Sequence, residues 1–411
     1  MNVLLILIVV FVLLEFTFSS FLSYLNGTWM GHPIPEALQD IYDAEKYSKQ
    51  QRYMKTCKSV SRVERLVNVI VMLSLLVAGV FGWVDHFSKA VTPSPMLQLA
   101  VFFTVFHLFS SLLGLPFSHY STFVIEEKFG FNKTTRKTFW LDTIKSAVLG
   151  LVVMLLLVCL IYYFYELWGK AFWIWSAMLC CAVIVFFNLF YSTLIVPLFN
   201  KQMPLEPGPL RDAIEKAASV MNFKMGNIYV INGSKHSTKA NAYFTGFGPK
   251  KRIVLYDTLI EQLSVEEIVA VLAHEMGHYK HHDTFRAMFS SFAFVVVYLF
   301  VFSFLVGNPM LPAALGGRGE SFALSMLAFS LLLTPLEMLL EPLMNVFSRR
   351  AEYRADAFAS QFGHGDSLVS GLKKLCSNTL SNLTPHPLVV WYTYSHPTLL
   401  QRILAITKES V

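Results

Sequence analysis

Seven separate apolar stretches, each close to the 20 residues a helix needs to cross a bilayer, constrain this chain more than anything else in it. They cover residues 2–24, 66–83, 96–115, 144–163, 171–197, 288–305 and 322–340. In hydrocarbon every backbone N–H and C=O must be satisfied within the segment or within a closed barrel, and continuous rather than alternating apolar runs select helices. The rest of the chain agrees. With 55% hydrophobic and only 15% charged residues and a mean hydropathy of +0.51, it is too apolar for a water-soluble protein.

The formal net charge of +6 does not point to nucleic acid, because the basic residues collect in alternate connections between spans. Residues 26–65 hold seven Lys and Arg and 118–138 hold four, whereas 84–95, 165–170 and 307–320 hold one each. Positive loops stay in the cytosol, so the N-terminus is expected outside and the C-terminus inside. The first 25 residues lack a basic start and a cleavage site and read as a retained span. The chain then divides into residues 1–199, membrane helices 1–5 with their loops; 200–286, a cytosolic segment; 287–345, helices 6 and 7; and 346–411, a second cytosolic segment. Four Asn-x-Ser/Thr sequons, at Asn26, Asn132, Asn232 and Asn382, fall on the cytosolic side and are expected to carry no glycan. Five cysteines without metal or ribbon spacing read as packing residues. The connection 308–320, rich in Gly and Pro, reads as a simple outer turn.

The chemistry concentrates in VLAHEMGHYK. His274 and His278 lie four apart, so on a helix their imidazoles stand one turn apart on one face and can share a Zn2+ ion. Glu275 projects beside them as a general base for water activated by the metal. Ser264 followed by Glu267 is a capping box, and Ile268, Val271 and Leu272 share a face, so a helix carries the motif.

A catalytic zinc takes three protein ligands and keeps a fourth position for water. The longer HExxHxxGxxH pattern fails, with His281 at its glycine and Thr284 at its last histidine. Glu352 and Asp356, four apart just past the seventh span, offer the alternative. Glu352 can be the third ligand while Asp356 accepts the free ring N–H of a zinc histidine. A solvated face paired with Arg349, Arg350 and Arg354 is the competing reading. Residues 241–246 and 252–257 read as two strands joined by a Gly-Phe-Gly-Pro turn. His107, Lys145, Glu337 and Glu341 lie at membrane depth, where ionisable groups face a bundle interior or a water-filled cavity.

HEMGH followed far downstream by ExxxD resembles the gluzincin metallopeptidases, and its placement among seven spans resembles the integral-membrane CAAX prenyl protease family, type I. STFVIEEKFGFNKTTRKTF (121–139), NAYFTGFGPKKRIVLYDTL (241–259) and SHPTLLQRI (395–403) are similar to that family's motifs in the same order. The resemblance implies an α-helical polytopic membrane protein with seven spans around a hydrated chamber and a small α+β cytosolic insertion. It implies one zinc per chain, an extended peptide pairing with the edge strand at Asn241, Ala242 and Tyr243, His396 neutralising the oxyanion, and Arg402 orienting Glu352. Only 14 residues separate Leu259 from His274, which tilts the expectation toward a compact, bacterial member.

The expected activity is zinc endopeptidase cleavage near the C-terminus of prenylated CAAX-type proteins or peptides, at the membrane boundary. The expected partners are such a C-terminal segment and membrane lipid, and the location is a bacterial inner membrane or, in a eukaryote, the endoplasmic reticulum, with the site facing the cytosol. A quality-control protease for unprenylated membrane proteins, and a transporter with a structural zinc, are the alternatives. Glu275 separates the last, since a structural site has no use for an unliganded carboxylate beside its metal.

Overall fold

The computed structural model describes residues 2–223, 226–245 and 252–409. Helices dominate: α1 (Val3–Thr28), α2 (Ala44–Val77), α3 (Val80–Val91), α4 (Pro95–Tyr120), α5 (Arg136–Trp168) and α6 (Phe172–Phe190) come first. A mixed segment follows, with β1 (Gln202–Pro204), α7 (Pro209–Val220), β2 (Asn227–Ile231), β3 (Ala242–Thr245), β4 (Arg252–Tyr256) and α8 (Val265–Lys280). The chain closes with α9 (Asp283–Leu305), α10 (Met310–Ala314), α11 (Phe322–Leu332), α12 (Thr334–Gln361), α13 (Gly365–Asn378), α14 (Pro387–Thr393) and α15 (Leu399–Glu409). The Gly-Phe-Gly-Pro turn expected between the strands lies outside the described residues.

Among the described residues, four helical segments are long and apolar enough to cross a membrane, or six when two bent pairs are each taken as one span. Their apolar windows are only 6–17% buried within the protein. Such a surface, with Val77, Leu112, Phe289 and Leu339 each more than 60% exposed, belongs against lipid rather than water. This is an integral, multi-pass membrane protein.

Two apolar stretches that read as single spans are bent. The second breaks by 62° after Ala78, where Gly79 takes a left-handed φ of +64°. The seventh breaks by 52° at Leu333, between α11 and α12. The 64-residue helical run 136–199 also folds back, since Gly169 interrupts it at φ +51° and Tyr165 then packs on Phe172 with ring centres 5.5 Å apart. The connection 308–320 is not a simple turn. It contains α10, buries Leu311, Ala314 and Leu315, and accepts the Gly82 N–H on the Leu315 carbonyl at 2.9 Å, seating the first turn of α3.

The sheet has the order β1-β2-β4-β3, with β2 and β4 parallel and the other pairs antiparallel. Strand β3 is therefore an edge, paired on one side only, with Tyr243 opposite Val254. Ile228, Ile253 and Leu255 from the sheet, Ile214 from α7, and Ile268, Leu272 and Met276 from α8 form one core with Phe358 of α12. That core fixes α8 against both the strands and the last long helix.

Candidate metal centre

Helix α8 begins with a complete capping box: the Ser264 hydroxyl accepts from the Glu267 N–H at 3.3 Å, and the Glu267 carboxylate accepts from the Ser264 N–H at 2.8 Å. Satisfying these otherwise orphaned donors fixes the start of the helix, and its buried face fixes its rotation. His274 and His278 then meet with ring centres 4.7 Å apart and planes nearly perpendicular. The helix stops at Lys280. His282 takes a left-handed φ of +58°, which turns the chain into α9 at Asp283.

Gly277 explains how α12 reaches the pair. A Cβ at this position would stand 2.9 Å from Ala355 Cα and 3.1 Å from Phe358 Cβ, so only glycine lets the two helices cross this closely. The crossing brings Glu352 between the imidazoles, with Oε2 3.5 Å from His274 Nε2 and Oε1 3.2 Å from His278 Nε2. One donor atom from each of the three residues lies within 4.8 Å of the others, the only such metal-compatible group among the described residues.

The other ring nitrogens are held from behind. Asp356 Oδ1 lies 2.8 Å from His274 Nδ1, and Asp283 Oδ2 lies 3.1 Å from His278 Nδ1. Each carboxylate places the ring proton on Nδ1 and frees Nε2 for a metal. Both are themselves clamped, Asp356 by Arg402 at 2.6 and 2.9 Å and Asp283 by Arg354 at 2.6 Å. Sequence reasoning found Asp356 but gave Asp283 no role and placed Arg354 only on a competing solvated face. The available signal was an acid five residues after the second histidine. Arg402, expected on Glu352, stands 3.7 Å from it and makes its short bonds to Asp356.

Charge follows the geometry. Burial alone would raise the Glu352 carboxyl, but hydrogen bonds from His274 and His278 hold it well below the usual carboxylate range. Burial would likewise lower His278, yet Glu352, with Glu275 and Asp283 adding, lifts it to about 9. Burial raises the Glu275 carboxyl, with the negative charge of Glu352 adding to it against the neighbouring imidazoles.

Glu275, His278 and Glu352 open on a cavity of about 740 Å3 between α9 and α12, which Phe244 of β3 also lines. His396 reaches the same point from beyond α14, with Nε2 3.3 Å from Glu352 Oε1 and a side chain 64% exposed. Asn241 and Ala242 lead into the edge strand, where the Asn241 carbonyl accepts from the Tyr256 N–H at 3.0 Å, and the Tyr243 ring packs on Tyr256. Of the groups at membrane depth, His107 Nε2 lies 2.9 Å from the Ala147 carbonyl and Lys145 donates to the Leu198 carbonyl at 2.8 Å, so both tie helices together. Glu341 lines a different cavity, of about 410 Å3, with Lys58 and Arg65.

Comparison with known proteins identifies the family. Residues 23–201 match the family model described as CAAX prenyl protease N-terminal, five membrane helices, and residues 204–410 match peptidase family M48. The CAAX prenyl protease 1 homolog of Arabidopsis thaliana is 34% identical over 98% of this chain and 97% of its own, and CAAX prenyl protease 1 of Saccharomyces cerevisiae is 33% identical over 96% and 93%. The plant protein aligns with little room for an insertion, so a compact chain does not mark a bacterial member. The crystal structure of S. mikatae Ste24p superimposes with a TM-score of 0.93 at 31% identity, covering 98% of this chain and 99% of that one. The chain therefore belongs to peptidase family M48, in its integral-membrane CAAX prenyl protease group.

Proposed function

We propose that this protein is a membrane zinc metalloendopeptidase that hydrolyses a peptide bond near the C-terminus of prenylated CAAX-type proteins or peptides. The observation that carries the reading is the convergence of His274 Nε2, His278 Nε2 and Glu352 on one point, with Glu275 beside them and opening on the same cavity. Two imidazole nitrogens backed by carboxylates and one carboxylate oxygen form a donor set that fits zinc and leaves a position open. Zinc held there would polarise the scissile carbonyl and lower the pKa of the attacking water.

The chain's own residues supply the rest. Glu275 takes a proton from the attacking water and returns it to the leaving amine nitrogen, a double task suited to a carboxyl that burial has raised. His396 Nε2, 3.3 Å from Glu352 Oε1 on a largely exposed side chain, donates to the carbonyl oxygen as negative charge develops. Asp356 and Asp283 keep the two rings in one tautomer and orientation, and Arg402 and Arg354 keep those carboxylates in place. The free side of β3, from Asn241 to Tyr243, offers an extended peptide a partner for its backbone N–H and C=O groups.

We read seven spans, counting each bent pair once and the folded-back run 136–199 twice. They enclose a hydrated chamber, of which the 740 Å3 cavity is the part next to the metal. The site lies on the side of the basic connections, toward the cytosol, in the endoplasmic reticulum of a eukaryote or the inner membrane of a bacterium. Because α8 turns within two residues into α9 and Glu352 lies on the helix that continues the last span, the scissile bond is read at the membrane boundary. A lipidated cysteine fits that position.

One peptide, prepared with and without its prenyl group and incubated with purified protein, tests the reading. The prenylated form is expected to have the higher kcat/KM, and Glu275→Gln to keep its zinc while losing about 10²- to 10⁴-fold in rate. Equal kcat/KM for both forms overturns prenyl recognition, and undiminished cleavage by Glu275→Gln overturns the mechanism.

A further inference from the structure

The cavity beside the metal centre holds more positive charge than peptide hydrolysis uses. Its walls are the facing sides of α9 and α12, with Ala287 and Ser290 on one and Met344 and Phe347 on the other, and three guanidinium groups border it. Arg354 is consumed by Asp283 at 2.6 Å. Arg286 stands 3.6 Å from that same, already satisfied carboxylate, and its side chain is 63% exposed. Arg350 is exposed and has no hydrogen bond or ion pair among the described residues. The acids of the cavity are committed elsewhere: Asp283 to Arg354 and His278, Glu352 to the imidazoles, and Glu275 to proton transfer. Two helices thus present, across a largely apolar cleft, one unpaired guanidinium and one held only at 3.6 Å by an already satisfied carboxylate, an arrangement complementary to an anion brought in by a ligand.

Position narrows the anion. Arg350 precedes Glu352 by two residues, about 3 Å of helix rise, and Arg286 follows Asp283 by three, about 4.5 Å. Both side chains line the same cavity as Glu275, His278 and Glu352. An extended tripeptide spans about 10 Å, so a peptide cut three residues from its end would carry its terminal carboxylate into this region. A prenyl chain is neutral and has no use for a guanidinium.

We propose that Arg350, with Arg286 opposite, forms a subsite for the free C-terminal carboxylate of the substrate, so that the protein measures the scissile bond from the chain end. This rests on the reading that cleavage occurs near a C-terminus. A guanidinium binds carboxylate through paired, charge-assisted hydrogen bonds, which an uncharged amide end cannot reproduce.

The test uses the whole purified protein in detergent free of anionic lipid, which removes lipid phosphate as a competing anion. Two peptides identical except for a free-acid or amidated C-terminus are compared. The acid is expected to exceed the amide in kcat/KM by about 10- to 100-fold, the range of a hydrogen bond to a charged group. Arg350→Gln with Arg286→Gln should bring the ratio toward one, Arg350→Lys should restore part of it, and Lys216→Gln on the exposed side of α7 should leave it unchanged. Zinc content and melting temperature report whether each variant is folded. Equal rates for acid and amide in the unmodified protein overturn the subsite. So does a double variant that slows both peptides equally, or one that changes the prenylated-to-unprenylated ratio instead, which would assign the cleft to lipid. Failure of the unmodified protein to cleave either peptide removes the peptidase reading and this subsite together, and is distinguishable because no ratio is then measured.

Discussion

Charged groups are buried at both ends of the helical bundle, and the two clusters differ in where their atoms point. At the end away from the metal centre, Asp85 is 4% exposed, pairs with Lys89 at 2.7 Å and accepts from the Ser321 hydroxyl, while Lys89 also donates to the Glu320 carbonyl at 3.1 Å. Donors and acceptors there answer one another, and the result pins α3 to the start of α11. At the metal end the satisfied atoms face outward, to Asp283 and Asp356, and the inner atoms of His274, His278 and Glu352 converge on one another. Burial of charge alone thus does not mark a site. What marks it is a set of ligand atoms aimed at one point with their other valences already filled.

The sharpest way to break this contrast is Glu352→Ala, which should take bound zinc from about one per chain toward none while Asp85→Asn keeps it. Metal analysis of the two purified variants decides it, and equal zinc in both would erase the distinction. Asp283→Ala and Asp356→Ala should weaken zinc affinity by about 10- to 100-fold each, measured by chelator competition. If only the Asp356 variant did so, the two imidazoles would not be held alike.

Protons sharpen the comparison next. In the metal-free protein His278 is lifted to about 9, so at neutral pH zinc must displace a proton from it, and affinity should rise as pH goes from 6.5 toward 9. Against its burial, hydrogen bonds to Asp356 and Glu352 raise His274 as well. Calorimetry in buffers of different ionisation enthalpy should therefore find at least one proton released per zinc at pH 7.5, and no release would contradict ligation through His278. The same shifts set stability without metal. The raised His278 contributes fully below its unfolded value of 6.5 and is lost as pH rises through about 9. The depressed Glu352 contributes above its unfolded value of 4.5 and is lost as pH falls through its lower folded value. Metal-free protein should therefore be most stable between about pH 4.5 and 6.5. The smallest effect belongs to the far end: Asp85→Asn should cost about 1 to 3 kcal/mol in stability, seen as a lower Tm, with cleavage per folded molecule unchanged.

Local signals were legible in the sequence and non-local ones were not. The Ser264 cap, the spacing of His274 and His278, and the pair Glu352 and Asp356 all act within two turns of helix, where residue spacing dictates direction. Strand β3 was legible from its composition. Its place at the edge of the sheet was expected only through resemblance, because the parallel pairing of β2 with β4 is set by chain segments far apart. The bends at Gly79 and Leu333 fall inside apolar runs, and a run that is apolar on every side has no periodicity to lose where a helix breaks. The pairing of Asp283 with Arg354 escaped notice because they lie 71 positions apart and meet only through the crossing at Gly277.

That the site draws on segments so far apart also orders events during synthesis. Arg402 follows His274 by 128 positions. At about 5 to 20 residues per second, a ribosome needs roughly 6 to 25 s to cover that interval. For the first 78 positions of it the two histidines exist without Glu352, and for all of it without the guanidinium that clamps Asp356. A nascent chain is thus expected to be inert as a protease until its last helix has been made.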